Sequence, residues 1–186
     1  AKSIEKANSD CNLNYSVKVS SDLNDIKKSD KIVLPGQGSF KACKNGINNI
    51  KGLKDELDDS VLVKKKPIYG ICAGMQLFAT KGYEEEETSG LNWIPGEVVK
   101  LDIKSSNLKI PHMGWNELKI KNQSKVFQDV FNDNHAYFIH SYEFIPKDKK
   151  NVSITTNYGK DVIAAVSFEN IFGSQFHPEK SQDTGI

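Results

Sequence analysis

The residues best suited to covalent chemistry lie in Gly70-Ile71-Cys72-Ala73-Gly74, where an apolar run gives way to a helix-like stretch. A turn that lifts a nucleophile out of a sheet brings neighbouring backbones together, so small residues are needed two places to either side of it. Gly70 and Gly74 meet that need. A cysteine at the start of a helix faces unpaired N–H groups, which favours its thiolate and predicts a lowered pKa for Cys72. The backbone N–H of Ala73, the residue after the nucleophile, is the natural donor to an oxyanion. A lone cysteine is more often a small buried hydrophobe. The downstream segment Phe176-His177-Pro178-Glu179 changes that balance. A thiol needs a base to take its proton and return it to a leaving amine, and the base needs a third group to hold its tautomer. His177 and Glu179 can fill those two roles.

Several elements must position these groups. Tyr15 to Val19 alternates as a strand, Ser-Asp then opens a short helix, and Lys31 to Pro35 reads as a second strand. Residues 1 to 9 read as the exposed side of a short helix. Phe40, Cys43, Ile47, Ile50, Leu53, Leu57 and Val61 recur at helical spacing, with Gly46 and Gly52 dividing the stretch into two helices. Pro67 to Ile71 reads as a buried strand and Gly74 to Thr80 as a helix. Beyond residue 91 the texture is short β-type runs: 97–103, 117–120, 136–144, 152–157, 162–168 and 171–176. Alternating α and β followed by β-ribbons predicts one α/β domain, with a mostly parallel central sheet and an antiparallel extension.

Composition narrows the function classes. The 186 residues carry 25 basic and 24 acidic side chains, a formal net charge of +1, so no large field recruits nucleic acid or an anionic membrane. Every basic residue is lysine, which leaves no guanidinium fork for bidentate reading of guanine. Three cysteines, Cys11, Cys43 and Cys72, form neither a disulfide framework nor a C-x-x-C metal pair, and they suit a reducing cytoplasm. No apolar run approaches the roughly 20 residues needed to span a bilayer.

Taken together, Gly-Ile-Cys-Ala-Gly-Met-Gln (70–76) and His-Pro-Glu (177–179) resemble the class I, triad-type glutamine amidotransferases, whose fold is flavodoxin-like. Within that class, five further segments resemble the glutaminase subunits of imidazole glycerol phosphate synthases. They are Leu34 to Phe40, Ile110 to Asn116, Phe138 to Tyr142, Thr155 to Gly159 and Gln175 to Gln182. The resemblance implies a Cys72, His177, Glu179 triad that hydrolyses glutamine through a thioester. It assigns the oxyanion hole to the N–H groups of Ala73 and Gln37, the latter after a peptide rearrangement in Pro35-Gly36-Gln37-Gly38. Gly36, Gln76, Glu84, Ser141 and Tyr142 match positions that hold the glutamine substrate, while Glu85 to Glu87 read as a solvated acidic run. Met113, Trp115, Asn116, Tyr137 and Lys180 match the face that meets a (β/α)8-barrel cyclase, although Trp115 could equally belong to the core. The family uses no metal and no organic cofactor.

The chain departs from the family pattern in three places. The opening strand with its Gly-x-Gly-Asn turn and the closing helix have no counterpart, so a single amidotransferase domain over 1–186 lacking both is expected. Ala73 stands where leucine is frequent, which is harmless if the position supplies only its amide. The competing functional readings are a related amidotransferase feeding another synthase, such as one amidating surface sugars, and a non-catalytic regulatory subunit.

Overall fold

The computed structural model describes Glu5, residues 15–104 and residues 107–185. The expected helix over residues 1–9 lies outside them, as does Cys11, apart from Glu5. Asp22 caps helix α1 (Leu23–Lys28) by accepting from the Asn24 N–H, as the Ser-Asp signal predicts. Strand β1 (Ile32–Gly36) follows. Helix α2 (Phe40–Asn48) and helix α3 (Leu53–Asp58) come next, and α3 runs into a wider turn over Asp59–Val63. The break falls at Gly52, whose φ of 79° is left-handed, while Gly46 lies inside α2.

Strand β2 (Ile68–Cys72) lies beside β1 in the interior of a six-stranded sheet and is followed by the one-turn helix α4 (Ala73–Gln76). The short strands β3 (Lys81–Gly82) and β4 (Thr88–Ser89) lead to β5 (Gly96–Lys100). Strands β6 (His112–Glu117), β7 (Lys119–Ile120), β8 (His135–His140) and β9 (Tyr142–Pro146) precede β10 (Val152–Asn157), β11 (Asp161–Phe168) and β12 (Ile171–Ser174).

The large sheet has the order β1-β2-β12-β11-β10-β7. Its β1, β2 and β12 are parallel, and from β12 onward the pairing is antiparallel, so the expected α/β sheet with an antiparallel extension is found. Successive residues of β2 serve opposite layers: Ile68 packs among Phe40, Leu57 and Met75, and Tyr69 packs against the cluster of Leu118, Phe138 and Phe176. A second sheet pairs β5 with β9, and β6 pairs with β8 alone.

Three expectations fail for local reasons. Tyr15 to Val19 is not a strand: it pairs with no strand among the described residues, and an isolated extended segment is not held. The helix expected over 74–80 spans only 73–76, because Leu77, Phe78 and Ala79 turn their carbonyls toward the backbone of 91–94 instead. The run 136–144 is two strands broken at Ser141, and β6 was not foreseen. No helix is long and apolar enough to cross a membrane among the described residues.

Candidate active site

Cys72 ends β2 with φ 54° and ψ −116°, a left-handed conformation that few non-glycine residues adopt. The chain tolerates it because glycines stand where the backbones approach most closely. A Cβ at Gly74 would lie 2.0 Å from the Leu34 carbonyl oxygen, and one at Gly70 would lie 2.7 Å from the Met75 nitrogen. The glycine spacing read from the sequence therefore reflects an elbow wedged against β1. Strand register places Gly36 opposite Cys72, so Gln37 follows immediately at the same sheet edge.

The thiol is not poised as its position on a helix suggested. Burial pushes its pKa up to about 11, opposed by hydrogen bonds from the Ala73 N–H and the Gln175 side chain. Helix α4 has one turn, too short to supply the dipole that a longer helix would, so desolvation prevails. At neutral pH Cys72 is a thiol and needs a base.

His177 fits that need. Its Nδ1 lies 2.8 Å from Glu179 Oε1, and because a carboxylate only accepts, Nδ1 carries the proton. Nε2 is then the basic nitrogen, and it is buried without a hydrogen-bond partner. Backbone bonds fix the imidazole in place: the His177 N–H donates to the Tyr137 carbonyl, and Ser181 Oγ donates to the His177 carbonyl.

The residues expected to hold substrate gather on the same side. Gln76 is buried, and its Nε2 donates to the Tyr142 carbonyl at 3.0 Å and to Gln175 Oε1 at 2.9 Å. Ser141 and Tyr142 are half-buried at the β8–β9 junction. Glu84 accepts from the Phe40 N–H at 2.7 Å, which fastens its loop to the start of α2 beside Gly36 and Gln37. Glu85, Glu86 and Glu87 stay exposed, and the last two pair with Lys41 and Lys81. Gln37 is exposed, its carbonyl accepting from the Cys43 thiol at 3.4 Å.

Four of the five expected partner-facing residues share one surface. Met113, Trp115 and Tyr137 alternate outward on the β6–β8 ribbon, and Lys180 Nζ lies 5.5 Å from the Tyr137 ring centre. Trp115 is 48% exposed and Met113 57%, so neither belongs to the core. Asn116 is not with them. It occupies the ribbon's inner face, where Nδ2 bonds His112 Nε2 and the Asn157 carbonyl.

Sequence reading missed three neighbours: Gln175, and the buried pair His112 and His140, whose rings meet Nδ1 to Nε2 at 3.1 Å. Their burial was the signal, and it follows from strand alternation only once β6 and β8 are known to pair. Burial lowers the pKa of His112 to about 4 and that of His140 to about 3.

A wedged cysteine and a carboxylate-held histidine, both at the carboxyl edge of parallel strands, fit an amide-cleaving α/β protein of the nucleophile-elbow type. The family model of class-I glutamine amidotransferases matches residues 2–185, and the chain belongs to that family. It is 53% identical over 170 residues to the imidazole glycerol phosphate synthase subunit HisH of Pelagibacter ubique, covering 91% of this chain and 82% of that protein. It is 43% identical over 163 residues to the HisH subunit of Cereibacter sphaeroides, covering 87% and 76% respectively. A crystal structure of a glutamine amidotransferase superposes with a TM-score of 0.72 at 17% identity, covering 99% of this chain and 88% of that one, which supports the fold.

Proposed function

We propose that this chain is the glutaminase subunit of an imidazole glycerol phosphate synthase, hydrolysing glutamine to glutamate and delivering the ammonia to a barrel-shaped cyclase in the cytoplasm. The observation that carries the chemistry is His177, held through Nδ1 by Glu179 and presenting an unpartnered Nε2 within a buried site. Cys72 gives its proton to that Nε2 as the sulfur attacks the side-chain carbonyl of glutamine. The oxyanion is met by the N–H groups of Ala73 and Gln37. His177 then protonates the departing nitrogen, leaving a thioester, and takes a proton from the water that hydrolyses it.

Glutamine itself would be held by Glu84 at its ammonium group, with Gly36, Gln76, Ser141 and Tyr142 around it. Glu84 must exchange its bond to the Phe40 N–H for that ammonium, or share it. The cyclase would dock on Met113, Trp115, Tyr137 and Lys180, an exposed apolar face whose Tyr137 also holds His177 through its carbonyl. Asn116, turned inward, would support that strand rather than touch the partner.

The test is Cys72→Ala in the assembled synthase. Glutamine-dependent turnover should vanish while turnover with added ammonium salts persists, since the thiol serves only the hydrolytic half. Glutamine-dependent turnover surviving the substitution would remove Cys72 from the chemistry. If neither nitrogen source supports the cyclase reaction even in the unaltered pair, the partner is a different synthase.

A further inference from the structure

Gln175 is fully buried, two residues before His177, and its Nε2 lies 3.5 Å from Cys72 Sγ. We propose that Gln175 is a further catalytic residue of this site, whose side-chain N–H donates to the Cys72 sulfur and stabilises the thiolate that enters and leaves the thioester. The inference rests on the reading of Cys72 as the nucleophile.

The orientation of the Gln175 amide is decided by the bonds behind it. The Tyr142 carbonyl can only accept, so Gln76 must present its NH2 group there, at 3.0 Å. The other proton of that NH2 goes to the Gln175 oxygen at 2.9 Å, which turns the Gln175 nitrogen toward sulfur. The same carbonyl lies 2.9 Å from His140 Nδ1, so that nitrogen is the donor and Nε2 accepts from His112 Nδ1. His112 Nε2 in turn accepts from Asn116. Every bond in the row from Asn116 to Cys72 has a satisfiable donor and acceptor only with the Gln175 N–H on the sulfur. Reversing the amide would set its oxygen against the thiolate and leave two NH2 groups facing each other.

Chemistry makes that donor useful. While the thiol proton resides on His177 Nε2, the sulfur carries the negative charge until its bond to the substrate carbon forms. When water adds to the thioester and the carbon–sulfur bond breaks, the pair returns to sulfur before the thiol is reprotonated. The ionisable groups that act on the sulfur, Cys43 on α2 and Glu179, both oppose a negative charge, so fixed N–H donors must supply the compensation. A hydrogen bond to a charged group is among the stronger ones.

Two measurements test this on the full chain. In Gln175→Leu, alkylation of Cys72 by iodoacetamide should be roughly tenfold slower throughout pH 7–9, the loss expected for one hydrogen bond to a charged atom. Cys43 in the same peptide maps serves as the reference for local opening and should keep its rate. In the unaltered protein, 15N-labelled, the Gln175 side-chain amide signals should shift when Cys72 is alkylated, and this readout needs no variant to fold. An unchanged Cys72 rate in folded Gln175→Leu, or amide signals indifferent to alkylation, overturns the inference. If a glutamine-analogue electrophile leaves Cys72 of the unaltered synthase unlabelled, the nucleophile assignment falls, and this inference with it.

Discussion

At the scale of single residues, burial sets the protonation of Cys72, His112 and His140. His112 and His140 show this most clearly, since both are held neutral under the β6–β8 ribbon with pKa values near 4 and 3. The folded values lie below the unfolded value, so the unfolded chain binds more protons as the pH falls below about 6.5. Their contribution to stability is therefore whole above that pH and is lost as the pH falls toward 4 and 3. Between pH 6.5 and 5 the loss should be on the order of 2 kcal/mol per histidine, at about 1.4 kcal/mol per pH unit. Urea unfolding at the two pH values checks the loss. Histidine ring signals that stay neutral at pH 5 in the folded protein check its cause; protonation of either ring near pH 6.5 would refute it.

At the scale of elements, the elbow depends on how closely α4 is pressed to β1. Gly74→Ala places a carbon 2.0 Å from the Leu34 carbonyl oxygen, and both partners are backbone that cannot swing aside. The substitution should destabilise the fold by about 1–3 kcal/mol and displace Cys72, with glutaminase activity lost more steeply than stability. Gly46 offers the opposite case: it is exposed inside α2 with nothing within 4 Å of an added Cβ. Gly46→Ala should stabilise by about 0.5–1 kcal/mol and leave activity unchanged. Denaturation midpoints and initial rates on the two variants separate close approach from helix propensity.

At the scale of the whole molecule, the exposed apolar ribbon and the catalytic edge are joined through Tyr137, whose ring faces outward while its carbonyl holds the His177 N–H. Across the site the Gln37 peptide follows Gly36 and precedes Gly38, whose φ of 99° leaves that stretch free to rearrange at low steric cost. The isolated chain should therefore hydrolyse glutamine poorly, and the cyclase with its own ligand should raise kcat by at least ~10²-fold, the usual worth of one oxyanion donor. KM should change little. Trp115→Ala should weaken cyclase binding by about 2 kcal/mol, as loss of a central aromatic anchor does, without lowering the thermal stability of the free chain. Titration calorimetry and steady-state rates with and without the cyclase decide both; equal kcat in every state would defeat the gating.

The sequence by itself determined the elbow and the histidine–glutamate pair, because both are local objects. Gly70, Cys72 and Gly74 specify the turn within five residues, and His177 and Glu179 meet across a single proline. The order of α and β segments likewise determined the sheet, since hydrophobic periodicity is written along the chain. What only the tertiary structure decided was environment. Pairing of β6 with β8 turned Met113 and Trp115 outward and Asn116 inward, a choice of face that one residue of register would reverse. Burial raised the Cys72 pKa against the hydrogen bonds from Ala73 and Gln175, and the fold brought Gln76 and Gln175 together from distant parts of the chain. Desolvation and long-range hydrogen bonds depend on what the rest of the molecule places around a group, and no local spacing encodes that.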